Sequence, residues 1–214
     1  MFVDDLELVL ERVNEKGHDL SKIFFKNAVE LAKKEKSAEL AYELALVADN
    51  GKNANVEKIR EELCKVVEES NNPKFAYLYA RDIPKANIPA LQKVVEESND
   101  AESAINFASD IYNIDITKLQ QIVLDSKNPK YAYQFAKYVE KADVKSMEDI
   151  VVKSKDIKLI ENFAKDVDGA NTKRLKSVRS VLAKKYNVNM IGLFWLITPQ
   201  NSSIFTKFKI IKKI

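Results

Sequence analysis

The sequence predicts an all-α protein built as a right-handed α-solenoid (superhelix) of paired antiparallel helices. Two observations predict this fold. The 214 residues include 31% charged residues but only 4 Gly and 5 Pro, a composition that favours long helical stretches. A pattern of 28 residues also returns several times along the chain, which is typical of repeat proteins.

The repeat consists of columns, meaning positions that recur 28 residues apart with similar residues. A serine column is followed two positions later by Asn or Asp, ten positions later by Ala and seventeen positions later again by Asn or Asp. These columns are Ser70, Ser98, Ser126, Ser154; Asn72, Asp100, Asn128, Asp156; Ala80, Ala108, Ala136, Ala164; and Asn87, Asp115, Asp143, Asn171. Because Asn and Asp side chains accept hydrogen bonds from the free amides of a first helical turn, each unit is predicted to begin two helices.

Apolar residues within a unit return at helical spacing. One stripe is Ala76, Tyr79, Ala80 and Ile83 in a first helix, and another begins with Leu91, Val94 and Val95 in the second helix. Each unit is therefore predicted to be a helix–turn–helix of about 11 residues per helix, with one buried face on each helix. We interpret the serine and alanine columns as points where helices approach closely.

Three regions are predicted. Residues 37–185 form the solenoid, with units starting near residues 37, 70, 98, 126 and 154; the first unit is seven residues longer, around Asn50-Gly51 and the helix that follows. Residues 1–36 form an irregular N-terminal helical cap with helices near residues 4–15 and 20–34, which covers the apolar edge of the array. Residues 186–214 form a tail that is first apolar and then rich in Lys.

The tail supports three interpretations. Residues 190–197 could fold back as a hydrophobic C-terminal cap, or residues 190–214 could form a sticky interface for self-association or for an anionic membrane surface. The tail could also be an incorrectly read or truncated end of a longer array. Four Lys and no acid give it a charge of +4, which leaves −1 for residues 1–185 out of a total of +3. A nearly neutral body argues against a general nucleic-acid binder.

Several functional classes are disfavoured by composition. One cysteine, Cys64, cannot form an internal disulfide or a Cys-based zinc module, and one histidine, His18, leaves most metal and triad chemistry without ligands. We expect no catalytic, cofactor or metal site, and we expect that the protein is not an enzyme. The chain starts without a signal-peptide pattern, and its longest uncharged apolar stretch, residues 190–197, is too short to cross a bilayer, so a cytoplasmic location is predicted.

The unit resembles the short helical repeats of phage and bacterial proteins of unknown function. The likeness covers roughly residues 37–182 and is carried by a core such as residues 131–136, followed by residues 141–144. Tetratricopeptide and HEAT repeats are similar only in architecture, since the 34-residue period and the Trp-Leu-Gly signature of the former are missing. The resemblance implies an interaction scaffold, and is silent on any activity.

A partner-binding face is predicted on the exposed side of the first helices. Three further columns lie there: Lys74, Glu102, Lys130, Lys158; Leu78, Asn106, Gln134, Asn162; and Arg81, Ser109, Lys137, Lys165. Together with the additional aromatic residues Tyr77, Tyr131, Tyr133 and Tyr138, they predict a surface for a protein or peptide. A nucleic acid held by the Lys and Arg residues is the alternative partner. An ordinary solvated face, and inter-repeat packing of the tyrosines, are the plainer interpretations.

Overall fold

The computed structural model describes residues 18–48 and 56–197, with side-chain surroundings for 25–48 and 56–186. Eleven helices and no strand occupy this part of the chain. The helices are α1 (His18–Glu35), α2 (Ala38–Val47), α3 (Val56–Glu69), α4 (Pro73–Asp82), α5 (Ile88–Ser98), α6 (Ala101–Asp110), α7 (Thr117–Ser126), α8 (Pro129–Tyr138), α9 (Val144–Ser154), α10 (Ile157–Asp166) and α11 (Thr172–Ile197). No helix in these residues is both long and apolar enough to span a membrane.

The helices pack in two layers. Each first helix (α2, α4, α6, α8 and α10) contacts the second helix of its own unit, and the first four of them also contact the first helix of the next unit. The second helices α3, α5, α7 and α9 likewise contact one another in succession. This arrangement confirms the predicted all-α repeat of helix pairs, in which each unit buries its apolar faces against its neighbours.

The core runs between the layers along the predicted columns. The leucine column Leu91, Leu119, Met147 and Leu175 is fully buried, and so are Tyr79, Phe107, Phe135 and Phe163 of the first helices. Because the same two columns are buried in each of these units, every unit contributes one aromatic and one aliphatic side chain at equivalent depth. The buried stripes predicted from helical spacing are confirmed.

The cap columns are confirmed at the first helices. Side-chain oxygens of Asn72, Asp100, Asn128 and Asp156 accept hydrogen bonds from amides in the first turns of α4, α6, α8 and α10, and Ser37 does the same for α2. At the second helices, Asp143 and Asn171 accept such bonds. Asp115 accepts from the amide of Thr117 but stands one residue before Ile116, the N-cap of α7, so its predicted N-cap position is wrong by one residue. Asn87 precedes α5 without a side-chain cap bond, so its predicted capping role is wrong.

The serine column joins units rather than bringing helices close together, so that interpretation is wrong. The hydroxyl of Ser98 donates to the carbonyl of Val95 at 2.7 Å and accepts from the amide of Asp100 at 3.1 Å. Ser70, Ser126 and Ser154 form the same two bonds, and the last two serines are exposed. Each serine therefore ties the end of a second helix to the cap of the next first helix.

Both turns of a unit contain one residue in the left-handed region. After second helices it is Lys36, Asn71, Asn99, Lys127 or Lys155, with φ between 49° and 60°. Within units it is Lys85, Asn113, Lys141 or Gly169, with φ between 60° and 79°. Asn and Gly adopt this conformation readily, whereas lysine does so at a cost, so the turn geometry is imposed at the Lys positions by the packing of the helices.

The ends of the array extend the regular packing. Helix α1, predicted near residues 20–34, contacts α2 and α3 and thus lies in the second-helix layer, followed by the same left-handed turn at Lys36. At the other end, α11 continues through residues 190–197. The side chains of that segment, residues 198–214, the predicted helix near residues 4–15 and the Asn50-Gly51 turn lie outside the described residues, and the three interpretations of the tail stay predictions.

Candidate partner-binding surface

Three of the tyrosines in the first-helix layer form hydrogen bonds between neighbouring units. The hydroxyls of Tyr42, Tyr77 and Tyr133 donate to the carboxylates of Asp82, Asp110 and Asp166 in the following unit, at 2.6, 2.5 and 2.7 Å. We call these the Tyr–Asp junctions. They bring each tyrosine ring against the next first helix, and Tyr77 is only 8% exposed. Tyr77 and Tyr133 therefore serve inter-repeat packing, the plainer of the two interpretations.

The junctions also engage two of the predicted binding cations. The guanidinium of Arg81 donates to both carboxylate oxygens of Asp82, at 2.7 and 2.8 Å, and to the hydroxyl of Tyr77 at 3.0 Å. Its hydrogen bonds hold the pKa of Asp82 below the usual range. The Lys137 ammonium lies 3.3 Å from the Tyr133 hydroxyl and 3.4 Å from Asp166. Arg81 and Lys137 are consequently neutralised within the array, with less charge left for a partner.

One junction departs from this pattern. Ile105 occupies the tyrosine position of its unit, and the following unit carries Tyr138 where the others have Asp. Both partners are thus replaced together, so no carboxylate is left facing an apolar side chain. Tyr138 is 57% exposed, with the Lys137 ammonium 5.2 Å from its ring centre. The exchange places an exposed aromatic ring in the middle of the predicted binding face.

The remaining predicted residues differ in their availability. Lys130, Gln134, Lys158 and Lys165 are exposed, Asn162 is half-buried, and Tyr131 is half-buried against the core. Lys74 is exposed but extends over the ring of Phe75, 5.6 Å from its centre. Among described residues, Lys130, Lys158 and Lys165 have no ion-pair partner. The available groups therefore concentrate on α8 and α10.

A second set of junction bonds, in the second-helix layer, was missed from the sequence. Gln92 donates to the carbonyl of Asp115, and Gln120 and Glu148 accept from the amides of Asp143 and Asn171, each bond spanning 23 residues at 2.7–2.8 Å. The signal was present in the sequence, since Gln92, Gln120 and Glu148 share one column. Their regularity indicates that both layers are fixed to the next unit by polar bonds as well as apolar packing.

Cys64 stands 28 residues before Gln92 and therefore occupies the same column in the preceding unit. The thiol is 4% exposed, and burial raises its pKa to about 12, which keeps it protonated and unreactive at neutral pH. The side-chain surroundings of His18 lie outside the described residues, and no group of three metal-binding side chains occurs in the part of the chain that the structure describes.

Glu148 is a buried carboxylate at the far end of the second-helix layer. It is 2% exposed and accepts from the Asn171 amide at 2.8 Å and from Arg174 at 2.9 Å; Arg174 also pairs with Asp149 at 2.7 Å. A shallow depression lies beside these groups, bordered by Lys145 and Gly169. Because its charges are already paired with one another, we assign this cluster to joining α9 and α11.

Charge is divided unequally along the array, although residues 1–185 together carry a net charge of only −1. Residues 56–125 contain eight Lys and Arg against thirteen Asp and Glu, whereas residues 126–185 contain fifteen against eight. The first half therefore carries an excess of five negative charges and the second half an excess of seven positive charges. The available lysines of α8 and α10 lie in the basic half, where they favour an anionic partner.

The chain was compared with known protein families, with curated proteins and with solved structures. None of the three comparisons gives a match. The function is therefore inferred from the exposed residues of α8 and α10.

Proposed function

We propose that the protein is a non-enzymatic helical-repeat scaffold that binds an acidic segment of a partner protein or peptide across α8 and α10. The observation that carries the proposal is a set of exposed lysines on these two helices, Lys130, Lys158 and Lys165, which form no ion pair with described residues and lie on the same helices as the exposed ring of Tyr138. In this proposal the stacked helix pairs wind into a right-handed solenoid, whose rotation from unit to unit gives an extended binding surface.

The spacing of these groups suits an extended acidic peptide. Packed helices lie about 8–10 Å apart, and alternate side chains of an extended strand are about 7 Å apart, so carboxylates on one face of a peptide can reach lysines on both helices. Gln134 and Asn162 lie between the lysines and offer amide hydrogen bonds to the peptide backbone. Tyr138 supplies apolar contact area, which the charges alone lack.

A nucleic acid is the second candidate partner, and the excess of seven positive charges in residues 126–185 favours it. The peptide is preferred because a short acidic segment can end on α8 and α10. A longer phosphate backbone that continued along the first helices would meet the acidic half of the array and be repelled. We expect the interaction to take place in the cytoplasm, where the thiol of Cys64 stays reduced.

Fluorescence anisotropy with a labelled peptide of alternating Glu and Ala tests the proposal. The same peptide with Gln in place of Glu, and a single-stranded oligonucleotide, serve as the competing probes. We expect the Glu peptide to bind and the Gln peptide not to bind. The variant K130E/K158E/K165E should weaken binding at least about tenfold, since three attractions become repulsions. Tyr138→Ala should cost about three- to tenfold.

The matched control is K145E/K173E/K176E, which changes the net charge by the same amount on exposed positions of the second helices α9 and α11. It should keep the affinity of the full chain within about twofold, because its substitutions lie away from the first-helix layer. Equal losses in both triple variants would mean that overall charge, not this surface, drives binding. Preferential binding of the oligonucleotide, with a steep log-linear salt dependence, would replace the peptide by a nucleic acid.

A further inference from the structure

The edge where second helices pass to the next first helices changes sign along the array. We call it the turn edge and define it by exposed residues at three successive turns: Glu97 and Glu102 between α5 and α6, Asp125 and Lys127 between α7 and α8, and Lys153 and Lys155 between α9 and α10. Lys130 and Lys158 are the equivalents of Glu102 at the other two turns, and Asp156 is also exposed at the last turn. With these included, the first turn is acidic, the middle turn carries both signs and the last turn is mainly basic.

The structure fixes the relative positions of these charges. The serine bonds and the left-handed residue give each of these turns the same conformation, and the units stack in a regular two-layer array. Equivalent turns therefore follow one another in the stack, one from each unit. The acidic turn stands one unit before the middle turn, and the basic turn stands one unit after it.

This edge is complementary to itself. If two copies meet edge to edge in antiparallel orientation about the middle turn, the acidic turn of each copy faces the basic turn of the other. At the centre, Asp125 of one copy faces Lys127 of its partner. Because each unit contributes one turn, the same antiparallel alignment brings all three contacts together. Such a contact uses the same surface on both chains and closes at two copies.

Existing pairings leave these charges largely available. Glu97 has a distant partner in Lys93, at 3.6 Å and with both side chains more than half exposed, a geometry that contributes little. Lys127, Lys153 and Lys155 form no ion pair with described residues.

We propose that a second copy of this chain docks antiparallel along the turn edge to form a two-fold symmetric dimer. Because the contact is built mostly from exposed charges, the dimer forms at low salt and dissociates at high salt, where the screening length falls from about 20 Å to a few Å. The turn edge adjoins the acidic-peptide surface, because Glu102 shares its column with Lys130 and Lys158, but the variants below change neither of those lysines.

Sedimentation equilibrium of the full chain tests it with two charge variants. In E97K/E102K the first turn becomes basic, and in K153E/K155E the last turn becomes acidic. Each variant should be monomeric at about 20 mM NaCl, where the unmodified chain is a dimer of twice 24.4 kDa. An equimolar mixture of the two variants should dimerise again, because each acidic turn then faces a basic one.

The control K173E/K176E changes the net charge as much as K153E/K155E but lies off the edge, and should still dimerise. Circular dichroism checks that each variant is folded. A monomeric unmodified chain at low salt, or species that grow beyond two copies, would overturn the proposal. Association that none of these variants changes would also overturn it and would point to the tail. A mixture of the two charge variants that stays monomeric would overturn it as well. Peptide binding is tested separately, because none of these variants changes Lys130, Lys158 or Lys165.

Discussion

Residues 56–125 and residues 126–185 share one architecture and carry opposite charge. In both halves the leucine column is buried, the serine hydroxyls join the units and the Asn or Asp caps begin the first helices. Yet the first half has an excess of acid and the second an excess of base. The comparison shows that the fold constrains the core, cap and junction columns, whereas the exposed columns are free to differ.

The largest expected effect tests whether the two halves are equally constrained. Phe107 in the acidic half and Phe163 in the basic half occupy the same fully buried column. Replacing either with Ala should lower the free energy of unfolding by about 3–5 kcal/mol, through lost burial and the cavity that remains. Urea denaturation followed by circular dichroism measures both values. A loss below about 1 kcal/mol in one half alone would mean that this half is loosely packed.

Alkaline pH should act through the Tyr–Asp junctions. Burial and the hydrogen bond to Asp82 raise the pKa of Tyr42 to about 12 in the folded chain, against about 10 when unfolded. The contribution of this proton to stability is complete below pH 10 and is lost as the pH rises towards 12. Between these values stability should fall by about 1–2 kcal/mol more in the unmodified chain than in Tyr42→Phe. Urea titrations at several pH values measure the difference, and parallel curves would contradict it.

The exceptional junction between α6 and α8 permits a sharper test of complementarity. Ile105→Tyr alone and Tyr138→Asp alone each introduce one unmatched partner, whereas the double variant recreates a Tyr–Asp pair. The free energy of unfolding of the double variant should be about 1 kcal/mol higher than the two single changes predict when added, because such a bond usually contributes about this much. Denaturation of the four proteins gives this coupling energy. A coupling near zero would show that the two columns vary independently.

The smallest effect is expected at the serine bridges. Ser98→Ala and Ser154→Ala each remove a hydroxyl that donates at 2.7 Å to a carbonyl of the preceding helix. Each should cost about 0.5–1.5 kcal/mol, with less at Ser154, which is exposed and whose partners can bond to water. Thermal unfolding measures both. A larger loss at Ser154 than at Ser98 would contradict this account of the serine column.

The sequence predicted what depends on local spacing and missed what depends on contacts between units. Helical periodicity and Asn or Asp caps are local properties, and they located the first helices and the core. The Tyr–Asp junctions join residues 33 to 40 positions apart. Asp82 and Asp166 follow a cation directly in the sequence, but nothing in a single helix indicates that a tyrosine of the preceding unit reaches them. For the same reason Arg81 was predicted as a binding cation, although it is neutralised in the array.

The Tyr–Asp junctions also give the units an order. Removing residues 98–125 would delete one whole unit in register, yet it would bring Tyr77 opposite Tyr138 and leave the tyrosine hydroxyl without a carboxylate. Removing residues 70–97 would delete just as much helix and bring Tyr42 opposite Asp110, a matched pair. Units of the same shape are therefore not interchangeable in this chain. A protein that lacks residues 70–97 should therefore be more stable than one that lacks residues 98–125, because its newly adjoining units still form a Tyr–Asp hydrogen bond.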